Sequence, residues 1–325
     1  HLAKPVILAT FLPWRDFGAP NLGKRALMSQ ANQQRPALAA LWMTGAIVAF
    51  TLMAIAGRAV SFELDTFEIM TYRSAVGVVV VAILATVFGK WSEVKRDKLP
   101  MHMGRNIFHF AGQNLWFYAI TVIPLAQVFA LEFTSPLWVM LLAALFLGEH
   151  LTRLKLFVAV VGFIGILLVV RPWVAPPSAG MIIAAAAALC FASTAIFTKR
   201  LTQSQTITCI MFYLTIMQLV FGLVCSLADG DMALPTGGNV AWIVLIGFAG
   251  LVAHFCLTSA LSVAPASVVM PLDFVRLPVI ALIGVMLYAE PLDAMVLLGA
   301  ALIFGANYLN ITGAARLERR NSAIS

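Results

Sequence analysis

Long runs of apolar residues recur along the whole chain, and short polar segments separate them. The runs at 76–87 and 158–170 are apolar on every face and lack the two-residue alternation of a membrane β-strand. Because a helix needs about 20 apolar residues to cross the hydrocarbon of a bilayer, the pattern predicts membrane-spanning helices. Ten are predicted, at 38–57, 69–88, 105–121, 125–147, 156–170, 179–197, 207–227, 240–261, 267–288 and 293–312.

Composition supports an all-α integral membrane protein and excludes a water-soluble one. Hydrophobic residues make up 62% of the 325 residues and charged residues 11%, whereas a soluble domain has roughly 45–50% and about 25%. The four cysteines lie inside apolar runs without a metal-binding spacing. Neither a disulfide framework nor a metal site is therefore predicted, and no cofactor is expected.

The basic residues predict how the chain is oriented. With ten spans and a cytoplasmic N-terminus, 17 of the 21 lysines and arginines fall in cytoplasmic segments, which is the positive-inside pattern. We therefore predict a multi-pass inner-membrane protein with both termini in the cytoplasm. The net charge of +7 reflects this topology, and the expected partners are the lipid bilayer and a small molecule, with no nucleic acid. Monomer and homodimer both remain open.

The first residues differ in character from the rest of the chain. Residues 1–27 contain no methionine and mix proline, glycine and charge without helical periodicity, and Met28 is then a plausible native start. We interpret residues 1–36 as a cytoplasmic N-terminal extension, of which 1–27 are excluded from the fold prediction. The stretch Gly18 to Arg25 resembles a phosphate-binding loop, but it ends in Gly-Lys-Arg where such a loop carries serine or threonine. Nucleotide binding is therefore not predicted.

The sequence contains an internal duplication with a shift of 141 residues. Residue types that are rare in lipid-spanning segments recur at equivalent positions, which indicates a true repeat. These pairs are Tyr72 with Tyr213, Pro124 with Pro265, Glu149 with Glu290, and Glu132 with Asp273, and the same shift also aligns the apolar pair Phe50 with Phe191. Each half has five predicted spans, and this odd number places the second half upside down in the membrane. The chain thus divides into two inverted five-helix repeats, at 37–173 and 178–312, and a cytoplasmic tail at 313–325, a plan typical of secondary transporters.

The duplicated pattern resembles a known family. A short proline loop, a span and a terminal glutamate occur twice, from Ile123-Pro124-Leu125 to Glu149 and from Ala264-Pro265-Ala266 to Glu290. Over about residues 38–312 the chain is similar to the EamA-type branch of the drug/metabolite transporter superfamily. The resemblance implies transport of a small metabolite through a cavity lined mainly by the third, fourth, eighth and ninth spans.

Three charged residues lie deep within predicted spans: Glu132, Asp273 and Arg276. Each costs roughly 2.5–3.5 kcal/mol if it faces lipid at the bilayer centre, so all three should face protein or water. A structural ion pair between Asp273 and Arg276 is one interpretation. The alternative makes Glu132 and Asp273 the groups that bind a cationic amine or a coupling proton, while Arg276 neutralises a carboxylate or binds a substrate carboxylate.

Further candidate binding residues come from helical spacing and from the repeat. On the third span His109, Gln113 and Trp116 share one face, together with Asn106. Gln113 is the repeat equivalent of His254. Packing is the alternative for the histidines, and anchoring at the membrane interface is the alternative for Tyr72 and Tyr213. Pro136, Pro271 and Pro278 predict interruptions of the fourth and ninth spans near Glu132 and Asp273.

These patterns predict a secondary active or facilitative transporter that moves an amino acid, amine or nucleoside-like metabolite by alternating access. The alternatives are an intramembrane enzyme and a channel. The sequence lacks the H-E-x-x-H and G-x-S-x-G motifs of common hydrolytic sites. A non-enzymatic carrier is therefore the preferred interpretation.

Overall fold

A computed structural model of the chain describes residues 36–147, 153–202, 204–228, 230, 232–263, 269, 272–291 and 293–324. Several predictions fall outside these residues: those on the extension before Pro36, Met28, Glu149, the Pro265 loop and Pro271.

The described residues form helices joined by short loops and contain no strand. The helices are α1 Pro36–Val60, α2 Thr66–Val87, α3 Leu99–Val122, α4 Leu125–Glu132, α5 Ser135–Leu147, α6 Arg153–Val170, α7 Ala179–Leu201, α8 Ile207–Ala228, α9 Gly237–Val263, α10 Arg276–Tyr288 and α11 Ala294–Ile324. A 3₁₀ turn at Trp91–Glu93 lies between α2 and α3. The all-helical prediction is confirmed for this part of the chain.

Among the described residues, seven segments are long and apolar enough to cross a membrane. They are α1, α2, the α4–α5 segment 125–142, and α6 to α9. The apolar helix α10 and the apolar part of α11, Ala294–Leu309, are shorter. Helix α3 has sufficient length, but it carries the buried polar residues Asn106, His109 and Gln113.

The fourth predicted span is broken into two helices. Phe133 and Thr134 leave the helix between α4 and α5, and Pro136 lies in the first turn of α5, where a missing N–H costs no helical hydrogen bond. The second repeat has the equivalent break at Phe274 and Val275, immediately before α10. The two phenylalanines are equivalent under the 141-residue shift, and their rings lie 4.5 Å apart.

The main helix contacts join the first half of the chain to the second. Helix α1 packs on α9, α3 on α7, α2 on α8, α6 on α11, and α4 on α10. Exchanging the two halves maps α1–α9 onto α7–α3 and maps the α2–α8 and α6–α11 pairs onto themselves. The packing therefore follows the sequence duplication, and the interior lies between the two halves.

Glycines permit the closest approaches between helix backbones. A Cβ atom on Gly165 of α6 would lie 2.7 Å from the Gly299 carbonyl oxygen of α11, and one on Gly299 would lie 2.6 Å from the Gly165 carbonyl oxygen. On α9, a Cβ atom on Gly247 would lie 3.0 Å from the Arg73 carbonyl oxygen. These positions bring helix backbones together without an intervening side chain.

We expect Gly165→Ala to destabilise the α6–α11 contact, because the new methyl group meets backbone that cannot turn aside. Overpacking of this kind costs about 1–3 kcal/mol. The measurement is the melting temperature of the purified protein in detergent. Gly305→Ala on α11 is the matched control, since a Cβ atom there has no neighbour within 4 Å among the described residues. Equal melting temperatures for the two variants would contradict this account.

Candidate functional site

The three charged residues predicted within spans come together where the two halves meet. One Arg276 nitrogen, Nη2, donates to Glu132 Oε1 at 3.0 Å and to Asp273 Oδ2 at 3.0 Å. Glu132 is the last residue of α4, and Arg276 is the first residue of α10. The structure thus contains the predicted Asp273–Arg276 ion pair and adds Glu132 of the other repeat. One cation is shared by two carboxylates at the interface.

Phenylalanine rings surround the guanidinium of Arg276. Its Cζ atom lies 4.6 Å from the ring centre of Phe50, 5.0 Å from that of Phe129 and 5.1 Å from that of Phe133. A guanidinium over aromatic faces is attracted by the ring quadrupole, and more strongly when water is excluded. Arg276 is only 3% exposed. Its position is therefore fixed by rings and carboxylates together.

The polar face of α3 lies beside this cluster. Trp116 donates its indole N–H to Glu132 Oε2 at 2.8 Å, so both carboxylate oxygens of Glu132 accept a hydrogen bond. Asn106 lies one turn before His109 on α3 and turns to α8, where it donates to the Tyr213 carbonyl oxygen at 3.3 Å. The predicted face is buried as a whole, and its two ends have different partners.

A row of four rings alternates between the two halves of the chain. The rings of Phe50 and His254 are 5.7 Å apart, those of His254 and His109 are 5.1 Å apart, and those of His109 and Phe191 are 6.3 Å apart. Phe50 and Phe191 are repeat equivalents. The row begins at Phe50, which also contacts Arg276. The histidine pair and the charged cluster are therefore parts of one region.

Several polar atoms in this region are buried without a hydrogen-bond partner among the described residues. They are both ring nitrogens of His109, Nε2 of His254, Oε1 of Gln113, Oδ1 of Asp273 and Nε of Arg276. Buried polar atoms are normally paired, and an unpaired one costs about 1–3 kcal/mol. Such a concentration at one place marks a region that can supply several donors and acceptors to a small polar ligand.

The two predicted tyrosines are not part of this region. The Tyr72 hydroxyl donates to the Ala233 carbonyl oxygen at 2.6 Å, in the segment between α8 and α9. Tyr213 packs its ring 4.4 Å from that of His102, near the start of α3. Their described contacts lie toward opposite ends of the bundle. The Arg73 side chain lies against Gly250 of α9. The arginine that forms the ion pair with Glu132 is Arg276.

The aromatic surroundings of Arg276 were not predicted from the sequence. Phenylalanine is too frequent in this chain, with 22 residues, for a single one to stand out. The pairing of Phe50 with Phe191 in the repeat was the one available signal. It indicated a special position without indicating a partner.

The arrangement is suited to binding and reorientation. Glu132 pairs with Arg276 across the contact between the halves, and His109 faces His254 across it, so a relative motion of the halves would alter the spacing of these groups. Within the described residues, no group of three or more His, Cys, Asp and Glu is placed to hold a metal ion. The groups that line the region offer hydrogen bonding, charge and aromatic contact.

Comparison with known families gives a repeated match along the chain. The model of the EamA-like transporter family matches twice, at residues 37–171 and 178–312. A solved crystal structure shares the fold with a TM-score of 0.60 and 19% identity, over 86% of this chain and 98% of that chain.

The similar curated proteins are bacterial transporters. A riboflavin transporter of Brucella anthropi is 33% identical over 66% of this chain and 77% of its own length. A riboflavin transporter of Vibrio cholerae is 28% identical over 83% of this chain and 92% of its length. An S-adenosylmethionine uptake transporter of Rickettsia felis is 25% identical over 82% of this chain and 89% of its length. This chain therefore belongs to the EamA-like transporter family of the drug/metabolite transporter superfamily, and it is a multi-pass membrane transporter of small metabolites rather than an enzyme.

Proposed function

We propose that this protein is a secondary carrier that moves a neutral heteroaromatic metabolite of the flavin type by alternating access. The observation that carries the proposal is the group of buried, unpartnered polar atoms on His109, His254 and Gln113 beside aromatic rings. Riboflavin offers both a planar aromatic ring system and several hydrogen-bonding edges. A site with rings and alternating donors and acceptors matches that chemistry.

The charge arrangement favours a neutral substrate over a cationic one. Glu132 and Asp273 already share Arg276, and three phenylalanine rings already hold its guanidinium. A sulfonium compound such as S-adenosylmethionine would need these same groups, so it would have to displace the cation of the protein itself. A neutral ring system binds without breaking the ion pairs.

The proposal includes the topology predicted from the sequence. Ten spans in two inverted repeats, an inner-membrane location and cytoplasmic termini are supported by the positive-inside bias. They are also supported by the α2–α8 and α6–α11 contacts, which map onto themselves when the halves are exchanged, and by α1–α9, which maps onto α3–α7. A homodimer is the assembly we propose to test first, by light scattering of the purified protein.

Binding of riboflavin tests the substrate class directly. The purified protein is titrated with riboflavin, and binding is followed by quenching of flavin fluorescence, with S-adenosylmethionine as competitor. We expect saturable binding that S-adenosylmethionine does not displace. His109→Phe and His254→Phe keep a ring but remove its nitrogens, and each should weaken binding about tenfold, as expected for the loss of one hydrogen bond.

His102→Phe is the matched control for this titration. His102 is also a buried histidine of α3, but its ring lies against Tyr213 rather than His254. The His102→Phe variant should bind riboflavin with the affinity of the wild type. Displacement of riboflavin by S-adenosylmethionine, or equal losses in all three variants, would contradict the proposed substrate class.

A further inference from the structure

Charged side chains of opposite repeats meet at one face of the bundle, where α1, α3 and α10 end and α4 begins. Arg58, in the last turn of α1, forms an ion pair with Glu290, which follows α10. The two side chains are only 12% and 13% exposed. Because salt and water screen a partly buried pair less than a surface pair, this contact holds the two repeats together more strongly than an exposed one.

Arg58 also binds the end of α3. Its Nε atom donates to the carbonyl oxygen of Ile120, and Nη2 donates to that of Ile123 at 2.9 Å. Ile123 is the C-terminal cap of α3, where unpaired carbonyls and the helix dipole favour a cation. The guanidinium lies 4.6 Å from the ring centre of Tyr288 at the end of α10. One side chain thus joins α1, α3 and α10.

Glu290 in turn binds the start of α4. Its Oε2 atom accepts a hydrogen bond from the backbone N–H of Leu125 at 2.9 Å, where the positive end of the α4 dipole favours a carboxylate. Helices α4 and α10 are therefore joined at two places. The Glu132–Arg276 pair joins them in the interior, and Glu290 joins them again at this face.

The backbone after α10 is shaped for this contact. Ala289 ends the helix in the left-handed conformation, with φ of 52°, which is uncommon for a residue other than glycine. The turn brings the Glu290 N–H to the Gly284 carbonyl oxygen at 3.1 Å. A Cβ atom on Gly284 would lie 2.4 Å from Glu290 Oε2. Glycine at position 284 therefore leaves room for the Glu290 carboxylate.

We propose that Arg58 and Glu290 form a gate that closes this face of the carrier, and that the substrate site opens to this face when the pair separates. The inference rests on the proposed carrier function, since a carrier with two rocking halves must break contacts at one face while it makes others at the opposite face. In the sequence, the 141-residue shift places Lys199 at the position equivalent to Arg58 and Glu149 at that equivalent to Glu290.

A second ion pair between the repeats provides a matched control. Arg171, after α6, pairs with Asp293, before α11, and these side chains are 31% and 29% exposed. Helices α6 and α11 are in backbone contact at Gly165 and Gly299. Because α6 and α11 are packed backbone to backbone, we do not expect them to separate at this ion pair. Removing the pair should therefore leave access to the interior unchanged.

Cysteine accessibility tests the gate without requiring transport. The four native cysteines are replaced by serine, and Gln113→Cys places a reporter thiol in the interior. A membrane-impermeant maleimide is applied to right-side-out and to inside-out vesicles. Glu290→Gln keeps an acceptor for Leu125 but removes the charge that pairs with Arg58. In the Glu290→Gln variant we expect labelling of the reporter from the Arg58 face to rise about tenfold and labelling from the opposite face to fall. A tenfold rise corresponds to a shift of about 1.4 kcal/mol toward the conformation that is open at the Arg58 face.

Gly284→Ala leaves every charge in place but displaces the Glu290 carboxylate, and it should shift labelling in the same direction. Asp293→Asn should label like the parent. Unchanged labelling in Glu290→Gln and Gly284→Ala would overturn the gate, as would a rise from both faces or an equal rise in Asp293→Asn. Because labelling does not depend on the substrate, failure of riboflavin binding leaves this test intact.

Discussion

Arg276→Gln is expected to abolish transport and to lower the free energy of unfolding by about 3–5 kcal/mol, the usual effect of leaving a buried charge unpaired. The residue is 3% exposed, and its Nη2 atom donates to both Glu132 and Asp273. Glutamine cannot neutralise either carboxylate, so two buried negative charges would face each other. The measurements are counterflow in proteoliposomes and the melting temperature in detergent.

Two further variants separate a role in the site from a role in the fold. Arg73→Gln also removes a buried arginine, but among the described residues Arg73 has no carboxylate partner, so its melting temperature should fall less. Combining Arg276→Gln with Glu132→Gln and Asp273→Asn removes all the charges and should restore stability without restoring transport. Recovery of transport in that triple variant would show that the cluster serves only the fold.

Glu132→Gln and Asp273→Asn are each expected to lower transport at least about tenfold while the protein still folds. In either variant Arg276 keeps one carboxylate partner, so no unpaired buried charge arises. Glutamine at position 132 also retains an acceptor for the Trp116 N–H. The net charge of the cluster nevertheless changes, which alters the field at the substrate site and removes a group that could carry a coupling proton.

Glu63→Gln supplies the matched control for these neutral variants. Glu63 is exposed in the loop between α1 and α2, and its carboxylate accepts a hydrogen bond from Thr236 at 2.8 Å. Its transport rate should equal that of the wild type, with and without a proton gradient. Wild-type rates in both Glu132→Gln and Asp273→Asn would exclude these carboxylates from the transport step.

The fold was largely predictable because membrane burial imposes simple patterns. Length and apolarity located most of the helices, and proline positions located the break before α5. The spacing of His109, Gln113 and Trp116 identified a face of α3 that is indeed buried. Each of these signals is local in sequence, so a single chain is sufficient to show them.

The partners of the charged residues were less predictable. The repeat indicated that Glu132 and Asp273 belong together, but nothing in the sequence showed that both would bind Arg276, which lies 144 residues after Glu132. Tyr72 and Tyr213 were equally prominent in the repeat, yet their contacts lie elsewhere. A repeat shows which positions are equivalent, whereas side-chain partners depend on how the halves pack.

Glu290 illustrates the same limit. The sequence marked it as a repeated residue at the end of a span, without showing why an acidic group belongs there. Its partners, Arg58 and the N–H of Leu125, are 232 and 165 residues away. The repeat marked Glu290, but its partners became evident only in the structure, where the ends of α1 and α10 and the start of α4 lie side by side.

Counterflow of labelled riboflavin in proteoliposomes tests the central claim most directly. We expect accumulation that saturates with substrate, requires unlabelled riboflavin on the opposite side, needs no nucleotide, and is lost in Arg276→Gln. Flux that is conductive and unsaturable, or that persists unchanged in Arg276→Gln, would contradict a carrier whose substrate site lies between the two repeats.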